Sequence, residues 1–158
     1  MPMLSSLIRV TRDARGNAVV EFALVLPLLL LLLAGMTEIG RAYYQANAVE
    51  KGLRAGALFA GRNSFPLTAQ VRTMVTNLVK TGTLDGSGPY LVSGWADVNA
   101  DLNIDDTLTF PVDATTTIPV VRLTATIPFD PLMPGMLALV GLGDVAIQLS
   151  HEQAYVGD

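Results

Sequence analysis

Residues 15–36 read RGNAVVEFALVLPLLLLLLAGM, and from Phe22 onward this stretch carries no charge. Counted from Asn17 it has 20 residues. As a helix it would be roughly 30 Å long, which matches the hydrocarbon core of a bilayer. The stretch therefore predicts a membrane-spanning helix. Its one acid, Glu21, would cost about 2.5–3.5 kcal/mol at the centre of a bilayer and less near its edge.

The charges on either side of this stretch differ in sign. Arg9, Arg12 and Arg15 precede its uncharged apolar run, with Asp13 as the only acid among them. By the positive-inside rule this end stays in the cytoplasm, and the rest of the chain lies across the membrane. Residues 81–158 contain ten acids and one base, a formal charge of −9. Such a surface argues against nucleic-acid binding, which needs a basic face.

The N-terminal region allows three interpretations. A secretory signal peptide needs small residues in an A-x-A-like arrangement directly after the apolar run. The run ends in Leu33–Met36, which is a poor site, and Ala46–Ala48 lies well beyond it. A permanent single-pass anchor fits the length and the flanking charge but gives Glu21 no role. The third interpretation is a prepilin-type leader, with a glycine after basic residues and an acid five residues later.

The segment resembles the start of the TadE-like pseudopilins of the tight adherence (Flp, or Tad, pilus) apparatus. The likeness lies in the stretch from Arg15 to Pro27, in Glu38–Arg41, which reads EIGR, and in the small residues around Gly52 and Gly56. It covers roughly residues 13–62.

The resemblance implies that a membrane aspartyl prepilin peptidase cuts between Gly16 and Asn17. Residues 1–16 would then be a cytoplasmic leader that is removed. Glu21 would become the fifth residue of the mature chain and, with Phe22 beside it, the site of assembly and charge pairing with the amine of a neighbouring subunit. Asn17 departs from the apolar first residue of many pilins, so N-methylation stays open.

The resemblance also implies a function. We expect a minor pilin or pseudopilin of Tad pilus assembly, in the bacterial inner membrane with a periplasmic head, which supports surface adhesion and biofilm formation. The implied partners are the prepilin peptidase, other Tad components and pilins, and inner-membrane lipid. Whether the chain is of the TadE or TadF type, and whether it enters the fibre or only primes it, stays open.

The rest of the chain predicts an α+β fold in which a long transmembrane helix is followed by a second helix and a small antiparallel β-rich head, as in pilins. Residues 17–62 form the first helix and residues 63–158 the head. An apolar stripe predicts the second helix between Thr68 and Gly82. Alternation and β-branched residues predict strands, over residues 90–95, 120–127 and 145–151.

Two further features concern packing. Gly52 and Gly56 have a spacing that allows close approach of another helix, and we favour packing within the chain's own domain. An apolar loop from Leu132 to Leu142 is flanked by prolines. It could form a short helix that covers the sheet edge, or an exposed contact for a partner subunit.

The stretch DVNADLNID places oxygen-bearing side chains at alternate positions, at Asp97, Asn99, Asp101, Asn103 and Asp105. Such ligands suit Ca²⁺, but the glycine and glutamate that complete an EF-hand loop are missing. The alternative interpretation is an exposed strand or hairpin with Val98, Leu102 and Ile104 turned inward. An anchored periplasmic binding module that holds calcium is therefore the second functional hypothesis.

No pattern indicates catalysis. His151 is the only histidine, cysteine is absent, and no Gly-x-Ser-x-Gly motif surrounds a serine. A single histidine cannot form a zinc site without other ligands. We expect no enzymatic activity, no small-molecule substrate and no cofactor apart from the calcium hypothesis.

Overall fold

The computed structural model describes residues 14–139, 141 and 145–156, and it divides after Thr37 into two compact units. Most of the predicted leader, together with Leu142 of the apolar loop, lies outside the described residues. The second unit begins at Glu38, well before the head domain predicted from residue 63.

Helix α1 extends over Ala14–Ala60, in agreement with the predicted first helix. Its leucine-rich part contains Pro27 without a break in the helix. The helix is long and apolar enough to cross a membrane, and the large apolar side chains from Val19 to Leu33 are exposed. The chain thus carries one candidate membrane span among the described residues.

Helix α2 covers Ala69–Thr81, as the apolar stripe predicts. The Thr68 side chain caps the first turn by accepting a hydrogen bond from the backbone N–H of Val71. The helix ends at Gly82, whose left-handed φ of 76° is readily adopted only by glycine. Both predicted ends are confirmed.

Three antiparallel strands form a sheet in the order β1-β2-β3. They are β1 (Asp101–Pro111), β2 (Thr117–Pro128) and β3 (Ala146–Ala154), with an irregularity in β1 between Asp105 and Leu108. The strands predicted over residues 120–127 and 145–151 are confirmed. A short helix, α3 (Pro134–Leu139), lies in the predicted apolar loop.

The core of the second unit lies where α1, α2 and one face of the sheet meet. In the part of α1 from Gln45 to Ala60, every third or fourth residue faces inward, which is the helical period, and every second residue of β2 does so, which is the strand period. Gly52 and Gly56 are buried against α2 at Val79, so the expected packing within the chain's own domain is observed. The buried apolar side chains include Val49, Leu53, Ala57, Val75, Val79, Val121, Leu123, Ala125 and Ile127.

The strand predicted over residues 90–95 is wrong. Ser93–Ala96 is a 3₁₀ helix, in which Trp95 is buried in the core. A β-carbon at Gly94 would clash with Ile127 Cγ2 and lie 2.6 Å from the carbonyl oxygen of Pro128. The segment therefore packs tightly against the end of β2 instead of pairing with a strand.

The prediction for the Asp-rich stretch is correct in part. Leu102 and Ile104 lie on the inner face of β1 and pack against the core. Val98, which was expected to face inward, is 94% exposed, because it lies in the turn before β1 begins. The continuation of β1 to Pro111 was not predicted.

Candidate functional site

The predicted cleavage and assembly residues lie near the start of α1. Gly16 and Asn17 are in its first turn, two and three residues after Ala14, and both are exposed. Apart from the neighbouring backbone of the helix, no described residue comes within 4 Å of a β-carbon built at Gly16. The Gly16–Asn17 bond therefore lies in an exposed part of α1.

Glu21 lies one helical turn after Asn17 and is exposed, as is Phe22. Residues four apart lie on the same face of a helix, so an amine at Asn17 could reach the Glu21 carboxylate. Within the described residues, no hydrogen bond or ion pair involves Glu21. Its carboxylate is therefore available to a group from outside the described chain.

A second set of polar side chains lies where the compact unit begins. Glu38 is only 3% exposed, although it directly follows the first unit. Its Oε2 accepts a hydrogen bond from the backbone N–H of Leu132 at 3.1 Å, and its Oε1 accepts one from Met133 at 2.6 Å. These bonds to a charged acceptor offset the cost of burying the carboxylate.

Arg41 and Gln45 continue this contact along the same face of α1. Arg41 donates to the carbonyl oxygen of Asp130 at 2.7 Å and to its carboxylate at 3.1 Å. Gln45 donates to the same carbonyl at 2.8 Å, and its own oxygen accepts the Asp130 N–H at 3.3 Å. Ser93 also donates to the Asp130 carboxylate. We call Glu38, Arg41 and Gln45, together with the loop backbone at 130–133 that they hold, the helix–loop clamp.

Sequence reasoning found only part of this clamp. Glu38 and Arg41 belong to the EIGR stretch that supports the family resemblance, but no contact was assigned to them. Gln45 and Asp130 were missed. A usable signal was present, because residues 38, 41 and 45 share one helical face and are polar directly after an apolar run.

A buried polar cluster fixes the connection between α1 and α2. Asp106 is 5% exposed, and its carboxylate accepts the backbone N–H of Leu67 at 3.0 Å and pairs with Arg72. Burial raises the pKa of Tyr155 to about 12, and the negative charge of Asp106 contributes to this shift. The cluster is a structural support, since its groups are largely enclosed by the fold.

The calcium candidates do not converge. The Asp97 carboxylate accepts the Asn99 N–H at 2.8 Å within a turn. Asp101, Asn103 and Asp105 follow one another on one face of β1, and alternate residues of a strand are about 7 Å apart. Ligands of one Ca²⁺ ion must each lie about 2.3–2.6 Å from it. Among the described residues no group of three or more acids or histidines could hold a metal ion.

The carboxylate of Asp105 is engaged locally instead. It accepts hydrogen bonds from the backbone N–H of Thr107 at 3.0 Å and from its hydroxyl at 2.7 Å. These bonds lower the pKa of Asp105 below its usual value, and the backbone bond is the larger cause. The calcium hypothesis therefore stays a prediction.

Comparison with known protein families gives a match in the N-terminal part of the chain. The TadE-like protein family matches residues 16–58. No curated protein and no solved structure matches the chain significantly. The matched range begins at Gly16 and contains Glu21, the candidate span and the three clamp side chains of α1. The resemblance of this chain to the TadE-like family is confirmed over residues 16–58.

Proposed function

We propose that the chain is a minor pilin or pseudopilin subunit of Tad (Flp) pilus assembly and thereby supports surface adhesion and biofilm formation. The observation that carries this proposal is the TadE-like match over residues 16–58, because it coincides with the candidate span and starts at the leader glycine. By itself, the match supports the broader statement that the chain is a component associated with the Tad pilus. The role is assembly, without catalysis.

In the proposed topology α1 anchors the subunit in the inner membrane. The arginines before the span favour a cytoplasmic N-terminus. The acidic head then lies in the periplasm, where it contacts other Tad components and pilins. One long apolar helix among the described residues is consistent with a single-pass anchor.

Prepilin peptidase is the proposed processing enzyme, and the Gly16–Asn17 bond is its target. The bond lies in an exposed part of α1, where a protease can approach it once the helix opens locally. Glycine carries no side chain that would obstruct the approach. Cleavage would leave a positively charged amine at the new helix N-terminus, where the helix dipole disfavours a cation.

Glu21 is the proposed partner for that amine. A carboxylate in a low-dielectric environment is costly unless an opposite charge lies beside it. The amine belongs either to the same chain, one turn away, or to a neighbouring subunit. Pairing between subunits would couple cleavage to assembly, because the amine exists only after the leader is removed.

Cleavage is tested by intact mass and N-terminal sequencing of the membrane-extracted protein. We expect an N-terminus at Asn17 in cells with active prepilin peptidase and an uncut chain in cells without it. Gly16→Leu should block processing, whereas Gly35→Ala, at another glycine of α1 with open surroundings, should not. A wild-type chain that still starts near Met1 in peptidase-positive cells would refute the proposal.

The role of Glu21 needs a separate test. Glu21→Gln keeps the shape of the side chain and removes its charge. We expect normal cleavage but loss of pili, scored by electron microscopy and surface attachment. Glu50→Gln, at an exposed acid of the same helix, is the matched control and should leave both unchanged. Unchanged piliation in Glu21→Gln would show that the charge has no role in assembly.

A further inference from the structure

We propose that the apolar loop, defined here as residues 131–138, lies on the lipid surface beside α1 and forms a second membrane contact that does not span. This inference rests on the proposed anchoring of α1 in the membrane. It assigns the loop to the interfacial layer of lipid on the side of the head.

The first argument is the length of chain between the span and the loop. Glu38 follows Met36, the last residue of the apolar run, by two residues. Two residues reach at most about 7 Å even when fully extended. The backbone nitrogen atoms of Leu132 and Met133 lie within 3.1 Å of the Glu38 carboxylate. The loop backbone is therefore held by a residue that lies only two positions after the apolar run.

The position of Glu38 along α1 corresponds to the polar layer of a bilayer. The hydrocarbon core is about 30 Å thick and the whole bilayer about 40–45 Å, which leaves roughly 5–8 Å of headgroup region on each side. If Met36 lies at the edge of the hydrocarbon core, Glu38 lies about 3 Å farther along the helix, inside this layer. The loop backbone that Glu38 holds then lies in or directly next to the layer.

The second argument is the chemistry of the loop. Its sequence is PLMPGMLA, with no charged side chain and no side-chain hydrogen-bond donor. Leu132 is 58% exposed and Met133 is 38% exposed. Segments that lie on membranes bury such apolar side chains about 5–10 Å into the boundary between headgroups and acyl chains. The position next to the span favours lipid as the occupant over another subunit.

The third argument is that the clamp prepares the backbone for this environment. Polar backbone groups that reach the boundary with the acyl chains need partners within the protein, because the hydrocarbon core supplies no water. Glu38 accepts the N–H groups of both Leu132 and Met133, and the prolines at positions 131 and 134 have no N–H. The loop can therefore approach lipid without exposing these donors.

The test uses the absence of native cysteine. Single cysteines in the full-length chain, at Leu132→Cys and separately at Met133→Cys, are labelled with an environment-sensitive fluorophore in phosphatidylcholine–phosphatidylglycerol vesicles. Doxyl-labelled lipids with a shallow or a deep nitroxide act as quenchers, and iodide reports contact with water. Leu30→Cys, in the middle of the span, is the lipid control, and Val98→Cys, an exposed apolar position of the head, is the water control.

We expect the shallow nitroxide to quench labels at positions 132 and 133 more than the deep one, with the opposite order at position 30. The label at position 98 should respond to iodide alone. If position 30 is quenched by lipid while positions 132 and 133 respond only to iodide, or to no quencher, the loop proposal is wrong and the anchoring stands. If position 30 is not quenched by lipid, the anchoring fails and the loop proposal with it.

Discussion

Alanine at Gly52 would place a methyl group against the backbone of α2. A β-carbon built there lies 2.5 Å from the carbonyl oxygen of Val79, far inside van der Waals contact. Because the obstacle is backbone in a buried site, the two helices must move apart locally. Overpacking of this kind costs about 1–3 kcal/mol, and the gain in helix propensity returns at most about 1 kcal/mol. We therefore expect Gly52→Ala to lower the free energy of unfolding by roughly 1–2 kcal/mol.

Gly40→Ala is the matched control in the same helix. Gly40 is exposed, and apart from the neighbouring backbone of the helix no described residue comes within 4 Å of a β-carbon built there. Only the propensity gain applies, so we expect a stabilisation of about 0.5–1 kcal/mol. Thermal unfolding of the full-length protein in detergent can be followed by the fluorescence of Trp95, the only tryptophan, which is buried in the same unit. A melting temperature for Gly52→Ala at or above that of Gly40→Ala would refute the close-approach argument.

Gly56 refines the same prediction, because its obstacle is a side chain. A β-carbon there lies 2.5 Å from Val79 Cγ2. Val79→Ala removes that methyl group, so the loss caused by Gly56→Ala should be smaller in the Val79→Ala background. The coupling energy of such contacting pairs is about 0.5–3 kcal/mol. Val79→Ala should not rescue Gly52→Ala in this way, since the carbonyl oxygen remains.

Three further predictions concern polar groups of the head. Asp106→Asn replaces a carboxylate that accepts two hydrogen bonds, one of them from Arg72. It should lower the free energy of unfolding by about 2–3 kcal/mol, measured by denaturant unfolding. An unchanged denaturation midpoint would contradict the structural role of Asp106. Thr68→Ala removes the N-cap of α2 and should cost about 1 kcal/mol in the same assay. Hydrogen bonds led by the Thr115 N–H lower the pKa of Asp113 from 3.8 to about 2. Its stabilising contribution is therefore complete above about pH 4 and is lost as the pH falls toward 2; Asp113→Asn should flatten that part of the stability profile, and an NMR titration midpoint near 4 would contradict the shift.

Elements with a local signal could be predicted from the sequence. Helix α2 has its apolar stripe, the Thr68 cap and the Gly82 end within 15 residues, and β2 has β-branched residues in alternation. These features act between near neighbours along the chain, so the sequence shows them directly. The ends of α2 agree with the prediction for this reason.

The misassigned elements depend on distant residues. The segment around Trp95 is rich in residues that favour strands, but its conformation is set by packing of Gly94 against the end of β2. Val98 fits an alternating pattern with Leu102, yet the strand begins only at Asp101. The clamp joins residues 85 to 95 positions apart, and no local pattern indicates that Asp130 reaches Gln45.

Two acids of α1, Glu38 and Glu21, differ in whether the chain itself supplies their hydrogen-bond partners. Glu38 is buried, and both its oxygen atoms accept hydrogen bonds from the chain's own loop. Its charge therefore already has hydrogen-bond partners before any assembly takes place. Glu38→Gln should weaken the hydrogen bonds to the loop backbone without affecting contacts with other subunits. Glu21 lies in the candidate span, and the described residues supply no hydrogen bond or ion pair to it. Once lipid surrounds α1, that carboxylate must bind a proton, pair with its own new amine or pair with another subunit. Only the last two depend on leader removal, so comparing Glu21→Gln with an uncleaved Gly16→Leu chain separates the contribution of the charge from that of processing.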